Sequence, residues 1–291
     1  MPRMRTRVLF GVCFLFVAGV LSMGAASLQP SFDVLIQNGR VMDGTGNPWI
    51  RMDIGIRNGR IEALGALRGA TAKTIIDAGD RIVAPGFIDV HSHAAEGLTR
   101  TELRQGQPLL AQGVTTIVAN PDGGGPLDLA EQRKALESGG IGPNVALLIG
   151  HGRVRSAVIG NANREPTAEE LERMRGLVRR AMQEGAFGLS SGLFYTPGSY
   201  AKTEEVIELA KVAAEFGGLY TSHIRDEGDY NIGVVAAVQE VIRIAEEAGT
   251  IGIVSHVKAL GPDNWGLAHA ITHRIDAARA RGVQVFADQY P

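Results

Sequence analysis

The sequence predicts an α/β fold, a TIM-like (β/α)8 barrel preceded by a small β unit, and three observations carry that expectation. From about residue 84 onward, short apolar runs alternate with amphipathic helical stretches, the rhythm of a parallel sheet with helical crossovers. Seven such runs occur without a Gly-x-Gly-x-x-Gly turn, which favours a closed barrel over an open doubly wound sheet. Polar residues recur just after the runs, at the strand ends where barrel active sites lie.

The runs at 87–93, 114–120, 144–150, 187–191, 218–223, 251–256 and 283–288 predict the strands. Between them the helices carry start and stop signals. Thr167 with Glu170 forms a capping box, Leu171, Met174, Val178 and Ala181 share one face, and Gly185 ends the helix. A second helix is expected over 203–216, with Val206, Leu209, Ala210 and Ala213 on its apolar face. A third covers 232–248 and stops at Gly249. A fourth covers 263–280, with Leu267, Ile271, Ile275 and Ala278 inward. The chain ends at Tyr290-Pro291, just after the seventh run. The expectation is a barrel incomplete at seven strands, truncated before strand eight and belonging to a longer protein.

Ahead of the barrel, residues 32–84 read as short strands at 33–37, 38–41, 53–57, 58–61 and 73–77. Asn38-Gly39 and Asn58-Gly59 fall between them as hairpin signals. The first 26 residues differ in kind. Arg3, Arg5 and Arg7 precede an apolar stretch over 8–21, and Gly24-Ala25-Ala26 supplies small residues for cleavage. This predicts a signal peptide and export to a periplasmic or secreted location, with an uncleaved N-terminal membrane anchor as the alternative. The only cysteine, Cys13, lies in that stretch, so the mature chain would hold no disulfide. The domain boundaries expected are therefore 1–26, 32–84 and 85–291. A net charge of −2 gives no electrostatic footprint for nucleic acid. No membrane contact is expected once the leader is cleaved.

The strand ends carry the chemistry. His91 and His93 are spaced i, i+2, which on a strand puts both imidazoles on one face. The second strand is followed by Asn120-Pro121-Asp122, the third by His151, and the fifth and sixth close on His223 and His256. Five of the seven histidines thus fall on one rim, while His269 and His273 fall on a helix. Two neighbouring histidines alone fit a surface coincidence; the whole set fits a metal ion, and zinc suits imidazoles joined by a carboxylate.

At these residues the chain resembles a known family. Pro85-Gly86-Phe87-Ile88-Asp89-Val90-His91-Ser92-His93 looks like the opening strand of the amidohydrolase superfamily, whose fold is a metal-dependent (β/α)8 barrel beside a small β-sandwich. Asn38-Gly39-Arg40-Val41-Met42-Asp43-Gly44 and Asn58-Gly59-Arg60-Ile61 are similar to that family's N-terminal β unit. The N-acyl-D-amino-acid deacylase (D-aminoacylase) branch is resembled at Gly150-His151-Gly152 and at Gly188-Leu189-Ser190-Ser191-Gly192-Leu193-Phe194-Tyr195-Thr196-Pro197-Gly198. It is resembled again at Tyr220-Thr221-Ser222-His223-Ile224-Arg225-Asp226-Glu227 and at Ser255-His256-Val257-Lys258.

The resemblance implies that His91, His93, His223 and His256 are ligands of one or two zinc ions. It implies that Tyr195 and Lys258 contact substrate. Arg225 is expected either to meet a substrate carboxylate or to pair with Glu227 or Asp226, and His151 either to orient a ligand or to act directly. One departure stands out: the branch carries Asn-Cys-Gly after its second strand, with the cysteine bridging to the metal. Here the segment reads Asn120-Pro121-Asp122-Gly123, so Asp122 is the natural substitute ligand, with capping of the turn as its other reading. The fourth strand lacks the lysine of hydantoinase-like and dihydroorotase-like relatives, which argues against those branches.

The function implied is hydrolysis of a C–N amide bond by metal-activated water, with an N-acyl-D-amino acid or a related small amide as substrate. The proton-shuttling aspartate of the family lies on an eighth strand, past Pro291, so no catalytic acid or base is assigned. Asp288, ending the seventh strand, is read as structural or as supporting a metal ligand from behind. The alternatives are a truncated, non-catalytic metal-binding barrel and another amidohydrolase of the dihydroorotase or dipeptidase kind.

Overall fold

The computed structural model describes residues 31–290, so the expected leader at 1–26 lies outside the described residues. The chain divides into two compact units between Pro85 and Gly86. Among the described residues no helix is long and apolar enough to cross a membrane.

The first unit is one five-stranded sheet, a single layer. Its strands are β1 (Ser31–Val41), β2 (Ile50–Arg57), β3 (Arg60–Gly65), β4 (Thr71–Asp77) and β5 (Ile82–Val83). β1 lies between antiparallel β2 and parallel β4, and its end also pairs with β5. Asn58-Gly59 makes the expected hairpin: both residues have positive φ, and Arg57 pairs with Arg60 across the turn. Asn38-Gly39 does not. The register of β1 against β2 slips between Ile36 and Gly39, and Asn38 takes φ 57°, so the pair is a bulge inside one long strand. Its side chain donates to Asp77 on β4, which gives the bulge an anchor that no local pattern reveals. Phe32, Leu35, Ile54 and Ala78 are the buried apolar side chains of this unit.

The second unit contains all seven expected strands. They are β6 (Phe87–Ser92), β7 (Val114–Ala119), β8 (Asn144–Leu147) continued as β9 (Ile149–Gly150), β10 (Gly188–Gly192), β11 (Leu219–His223), β12 (Gly252–Val254) and β13 (Val285–Ala287). β8 and β9 are halves of one strand interrupted at Leu148. The first half pairs with β7, and the second turns to pair with β10. Every pairing is parallel, and the order in space follows the order in sequence. A doubly wound sheet would reverse its strand order at a switch point, and none occurs here. The progression around the sheet is that of a (β/α) barrel.

Eight helices surround these strands: α1 (Ala95–Leu98), α2 (Gln107–Ala111), α3 (Leu129–Gly139), α4 (His151–Ile159), α5 (Ala168–Gln183), α6 (Thr203–Ala214), α7 (Val234–Ala248) and α8 (Ala268–Ala280). α5 has its capping box, with Thr167 accepting from the Glu170 amide and Glu170 accepting from the Thr167 amide. α7 and α8 start later than expected because Gly233 (φ 82°) and Gly266 (φ 99°) adopt conformations a helix cannot include. The residues before α8 form a single 3₁₀ turn, Pro262–Asn264. Four helices, α1 to α4, were not expected. α3 begins at Asp128, whose side chain accepts from the Glu131 amide, an N-cap readable in hindsight. α4 begins at Gly150-His151-Gly152, where glycines on both sides of the histidine suggest a loop.

The barrel core is apolar where strands meet helices, with Ile117, Leu148, Ile149, Leu189, Val254 and Val285 fully buried. The strands also contribute hydroxyl groups that satisfy one another. Ser191 bonds to Tyr220 at 2.7 Å and to Ser222 at 2.9 Å, and Thr221 bonds to Ser255 at 2.8 Å. Such paired hydroxyls avoid the cost of a buried polar atom with no partner.

Replacing Thr167 by alanine removes one arm of the α5 capping box. It is expected to lower the stability of the protein by about 1 kcal/mol, read as a lower urea midpoint with an unchanged slope. No change in the midpoint would show that Arg164, which also holds Glu170, already fixes this turn.

Candidate metal centre

The C-terminal ends of β6, β7, β11 and β12 deliver five donors to one place. His91 sits on β6 and His93 one residue beyond it; His223 is the last residue of β11 and His256 follows β12. Asp122 comes from the loop after β7, where Asn120 (φ 63°), Asp122 (φ 58°), Gly123 (φ 71°) and Gly125 (φ 86°) are all left-handed. Left-handed backbone is unfavourable for residues other than glycine, with asparagine and aspartate the best tolerated. This strained course turns the Asp122 carboxylate back over the barrel mouth.

Asp122 Oδ1 lies 3.5 Å from His91 Nε2 and 3.8 Å from both His223 Nδ1 and His256 Nε2. Its Oδ2 lies 3.2 Å from His93 Nε2. The donors form two triads, His91 with His93 and Asp122, and Asp122 with His223 and His256. The carboxylate is common to both.

This set fits a divalent ion. Two ligands each about 2.1 Å from a tetrahedral zinc lie about 3.4 Å apart, close to the spacings seen. Asp122 Oδ1, His91 Nδ1 and His223 Nε2 are buried without a hydrogen-bond partner in the protein. Orphaned polar atoms in a native core need a reason, and a bound cation supplies one for the carboxylate. One carboxylate among four imidazoles has room for one ion or for two that it bridges.

A second carboxylate, Glu227, lies behind the histidines. Its Oε1 is 3.0 Å from His256 Nδ1 and 3.8 Å from His223 Nε2, and it accepts from the Lys258 ammonium. Lys258 Nζ is also 2.9 Å from His256 Nδ1. Sequence offered Glu227 only as a partner for Arg225, although its i, i+4 spacing from His223 was visible.

The electrostatics follow from this layout. Burial pushes the His223 imidazole down to about 4, and the neighbouring His256 and Lys258 charges act in the same sense. For His256 burial also disfavours the charged form, but Asp122 and Glu227 outweigh it and raise the group to about 9. Burial opposes ionisation of Asp122 and Glu227, yet the surrounding imidazoles, joined at Glu227 by Lys258, hold both carboxyls well below their usual range.

The remaining expected residues separate into two groups. Tyr195 reaches the site: its hydroxyl is 3.4 Å from His223 Nδ1, and the residue stays 47% exposed. Lys258 reaches it through Glu227 and His256. Arg225 does not. The expected partners Glu227 and Asp226 are both engaged elsewhere, and Arg225 is turned toward Glu240 on α7 with its Nε and Nη2. Asp226 accepts from the amides of Gly228, Asn231 and Gly233 and so shapes the loop after β11. His151 is fully buried away from the triads, its Nε2 bonded to Glu205 at 2.8 Å, and Glu205 also pairs with buried Arg155. Asp288 accepts from the His256 amide at 2.6 Å and so fixes the backbone beneath that imidazole.

Comparison with known proteins finds relatives over most of the chain. Residues 74–290 match the profile of the Amidohydrolase family. A D-aminoacylase from Alcaligenes xylosoxydans xylosoxydans is 38% identical over 92% of this chain and 59% of its own length. An N-acyl-D-glutamate deacylase from the same organism is 40% identical, over 91% and 58%. The crystal structure of N-acyl-D-glutamate deacylase from Bordetella bronchiseptica, complexed with zinc and a phosphonate mimic of the tetrahedral intermediate, superposes with a TM-score of 0.84 at 39% identity. It is matched over 90% of this chain and 59% of that one. The chain thus spans about six-tenths of the length of the relatives it matches.

In protein stripped by a chelator, the two opposed histidines predict a stability optimum. His223 is neutral in the fold but protonated in the unfolded chain between about 4 and 6.5, so stability falls as pH drops through that window. His256 keeps its proton in the fold up to about 9, so its contribution is complete below 6.5 and is lost as pH rises toward 9. The urea midpoint is expected to peak near pH 6.5 and to fall on both sides. Added zinc should raise the alkaline side most, because imidazole ligands bind as neutral bases. A flat midpoint from pH 6.5 to 9 in stripped protein would contradict the His256 assignment.

Proposed function

Since the chain belongs to the amidohydrolase family, we propose that it forms the metal-holding part of a zinc-dependent hydrolase that cleaves the amide bond of N-acyl-D-amino acids. The observation that carries the reading is Asp122 set among His91, His93, His223 and His256, with Tyr195 and Lys258 on the same rim. The D-aminoacylase and N-acyl-D-glutamate deacylase relatives supply the substrate class.

The four histidines and Asp122 would hold the ion, with Asp122 in the place the resembled branch gives to a cysteine. A divalent ion in such a site supplies Lewis acidity toward a carbonyl and lowers the pKa of water. The chain's own residues bind and orient the substrate. The Tyr195 hydroxyl, half exposed beside His223, donates to the oxygen of the scissile carbonyl, where negative charge develops. Burial, with Asp122 and Glu227 nearby, pushes its pKa up, so it remains a donor at neutral pH. Lys258 meets the amino-acid carboxylate with its ammonium, which Glu227 steers and partly neutralises. Glu227 also orients His256 through Nδ1. Proton transfer to the leaving amine is assigned to no described residue; Asp288 holds the His256 amide through Oδ1. The first 26 residues, outside the described structure, export the protein.

Purified full-length protein is expected to release free D-amino acid from N-acetyl-D-amino acids and to act poorly on the L isomers. Dialysis against a chelator and His223→Ala should each abolish the release, and added zinc should restore only the first. Activity that survives metal removal would end this reading. Asp122→Ala is expected to lower bound zinc measured by mass spectrometry, and unchanged zinc would remove Asp122 from the ligand set. Lys258→Ala should raise KM about 10- to 100-fold with a smaller change in kcat, the pattern of lost ground-state binding.

A further inference from the structure

The loop between β10 and α6, residues 193–202, presents Tyr195 to the metal centre but has little regular structure of its own. It holds itself through four backbone hydrogen bonds: the Tyr195 amide donates to the Gly192 carbonyl, Ser199 to that of Tyr195, Tyr200 to that of Pro197 and Ala201 to that of Gly198. Two of its carbonyls point outward, and one side chain takes both. Arg225 donates from Nη1 to Ser199 O at 3.2 Å and from Nη2 to Ala201 O at 2.9 Å. The other edge of the same guanidinium forks onto Glu240, Nε to Oε2 at 2.9 Å and Nη2 to Oε1 at 2.8 Å. Glu240 in turn accepts from Thr203 Oγ1 at 2.8 Å, at the start of α6 where the loop ends.

The pair is nearly dry, with side-chain exposures of 10% and 6%. A buried ion pair is a poor source of stability, because desolvation offsets most of the Coulomb attraction and an apolar pair of the same volume often does as well. What such a pair does supply is fixed geometry. Here the geometry closes a circuit. Arg225 lies two residues after His223, it grips the loop at Ser199 and Ala201, and the loop returns the Tyr195 hydroxyl to within 3.4 Å of His223 Nδ1. The same stretch of chain that presents a metal ligand also sets the distance of the hydroxyl beside it. The other side of the α6 start is pinned separately, by Glu205 to His151 and Arg155, so α6 does not depend on Arg225 for its anchorage.

We propose that Arg225, seated by Glu240, is a positioning residue that holds Tyr195 at the metal rim. This rests on the reading of Tyr195 as a substrate contact in an amide hydrolase. Arg225 itself never touches substrate, because its donors are spent on the loop and on Glu240.

The test uses the double variant Arg225→Met/Glu240→Leu, which removes the buried pair whole and leaves no uncompensated charge, with Arg225→Lys beside it to keep the charge without the fork. Hydrogen exchange followed by mass spectrometry should show the 193–202 segment exchanging at least about tenfold faster in both, with the β11 segment unchanged. Bound zinc should match wild type. On an N-acyl-D-amino acid, kcat/KM should fall about 10- to 100-fold with the same kcat and KM split as Tyr195→Phe. Combining either change with Tyr195→Phe should cost nothing further, because the two act on one contact. Unchanged exchange in the loop, loss of zinc along with activity, or losses that multiply with those of Tyr195→Phe would each overturn the proposal. If wild-type protein cleaves no amide, the hydrolase reading fails, while the exchange arm still decides whether Arg225 braces the loop.

Discussion

The whole site hangs on the backbone of one short loop. For Asp122 to stand among four histidines, residues 120–125 must follow a left-handed course that costs conformational energy at Asn120 and Asp122. The neighbouring strands hold that course. The Ser190 hydroxyl on β10 donates to Asn120 O at 2.7 Å and accepts from the Gly123 amide at 3.2 Å. The Asn120 side chain bonds Leu148 O, at the break between β8 and β9, and Gln132 on α3. The loop also lies so close to β9 that a Cβ on Gly150 would come within 2.1 Å of Gly124 O. The break at Leu148, the glycine at 150 and the serine at 190 all serve the placement of one carboxylate.

A carboxylate there is chemically different from a thiolate. It has two oxygens, and each faces a different set of imidazoles: Oδ2 toward His93, and Oδ1 toward His91, His223 and His256. A single sulfur would have to serve both sets from one point. As a ligand, Asp122 would be shared between the triads and would be a harder donor than a thiolate.

The order of strands and the histidines gathered at the barrel mouth were legible in sequence because both are local signals. Apolar runs mark strands, and a histidine closing a run is placed by that run alone. The capping box of α5 and the Asn58-Gly59 hairpin were legible for the same reason. What sequence hid was decided by contacts between distant segments. Asn38-Gly39 has the same two residues as the true hairpin and becomes a bulge because β1 continues to pair with β2 and β4 beyond it. Arg225 has carboxylates at the next two positions and ignores both for Glu240, since Asp226 is spent on backbone amides and Glu227 on Lys258. His151 occupies the same rim position as the ligand histidines, yet it opens α4 and turns into the protein toward Glu205. A charged side chain has many candidate partners along a chain, and packing chooses among them.

The strand that each ligand comes from gives the two triads different folding ages. His91, His93 and Asp122 belong to β6 and the loop after β7, neighbours in both sequence and space, and closing that triad orders only a short stretch of chain. Asp122, His223 and His256 span β7, β11 and β12, so the second triad exists only once most of the sheet has assembled. The two triads are thus unequal in reach: one is local to a single strand–loop neighbourhood, and the other ties three strands of the sheet together.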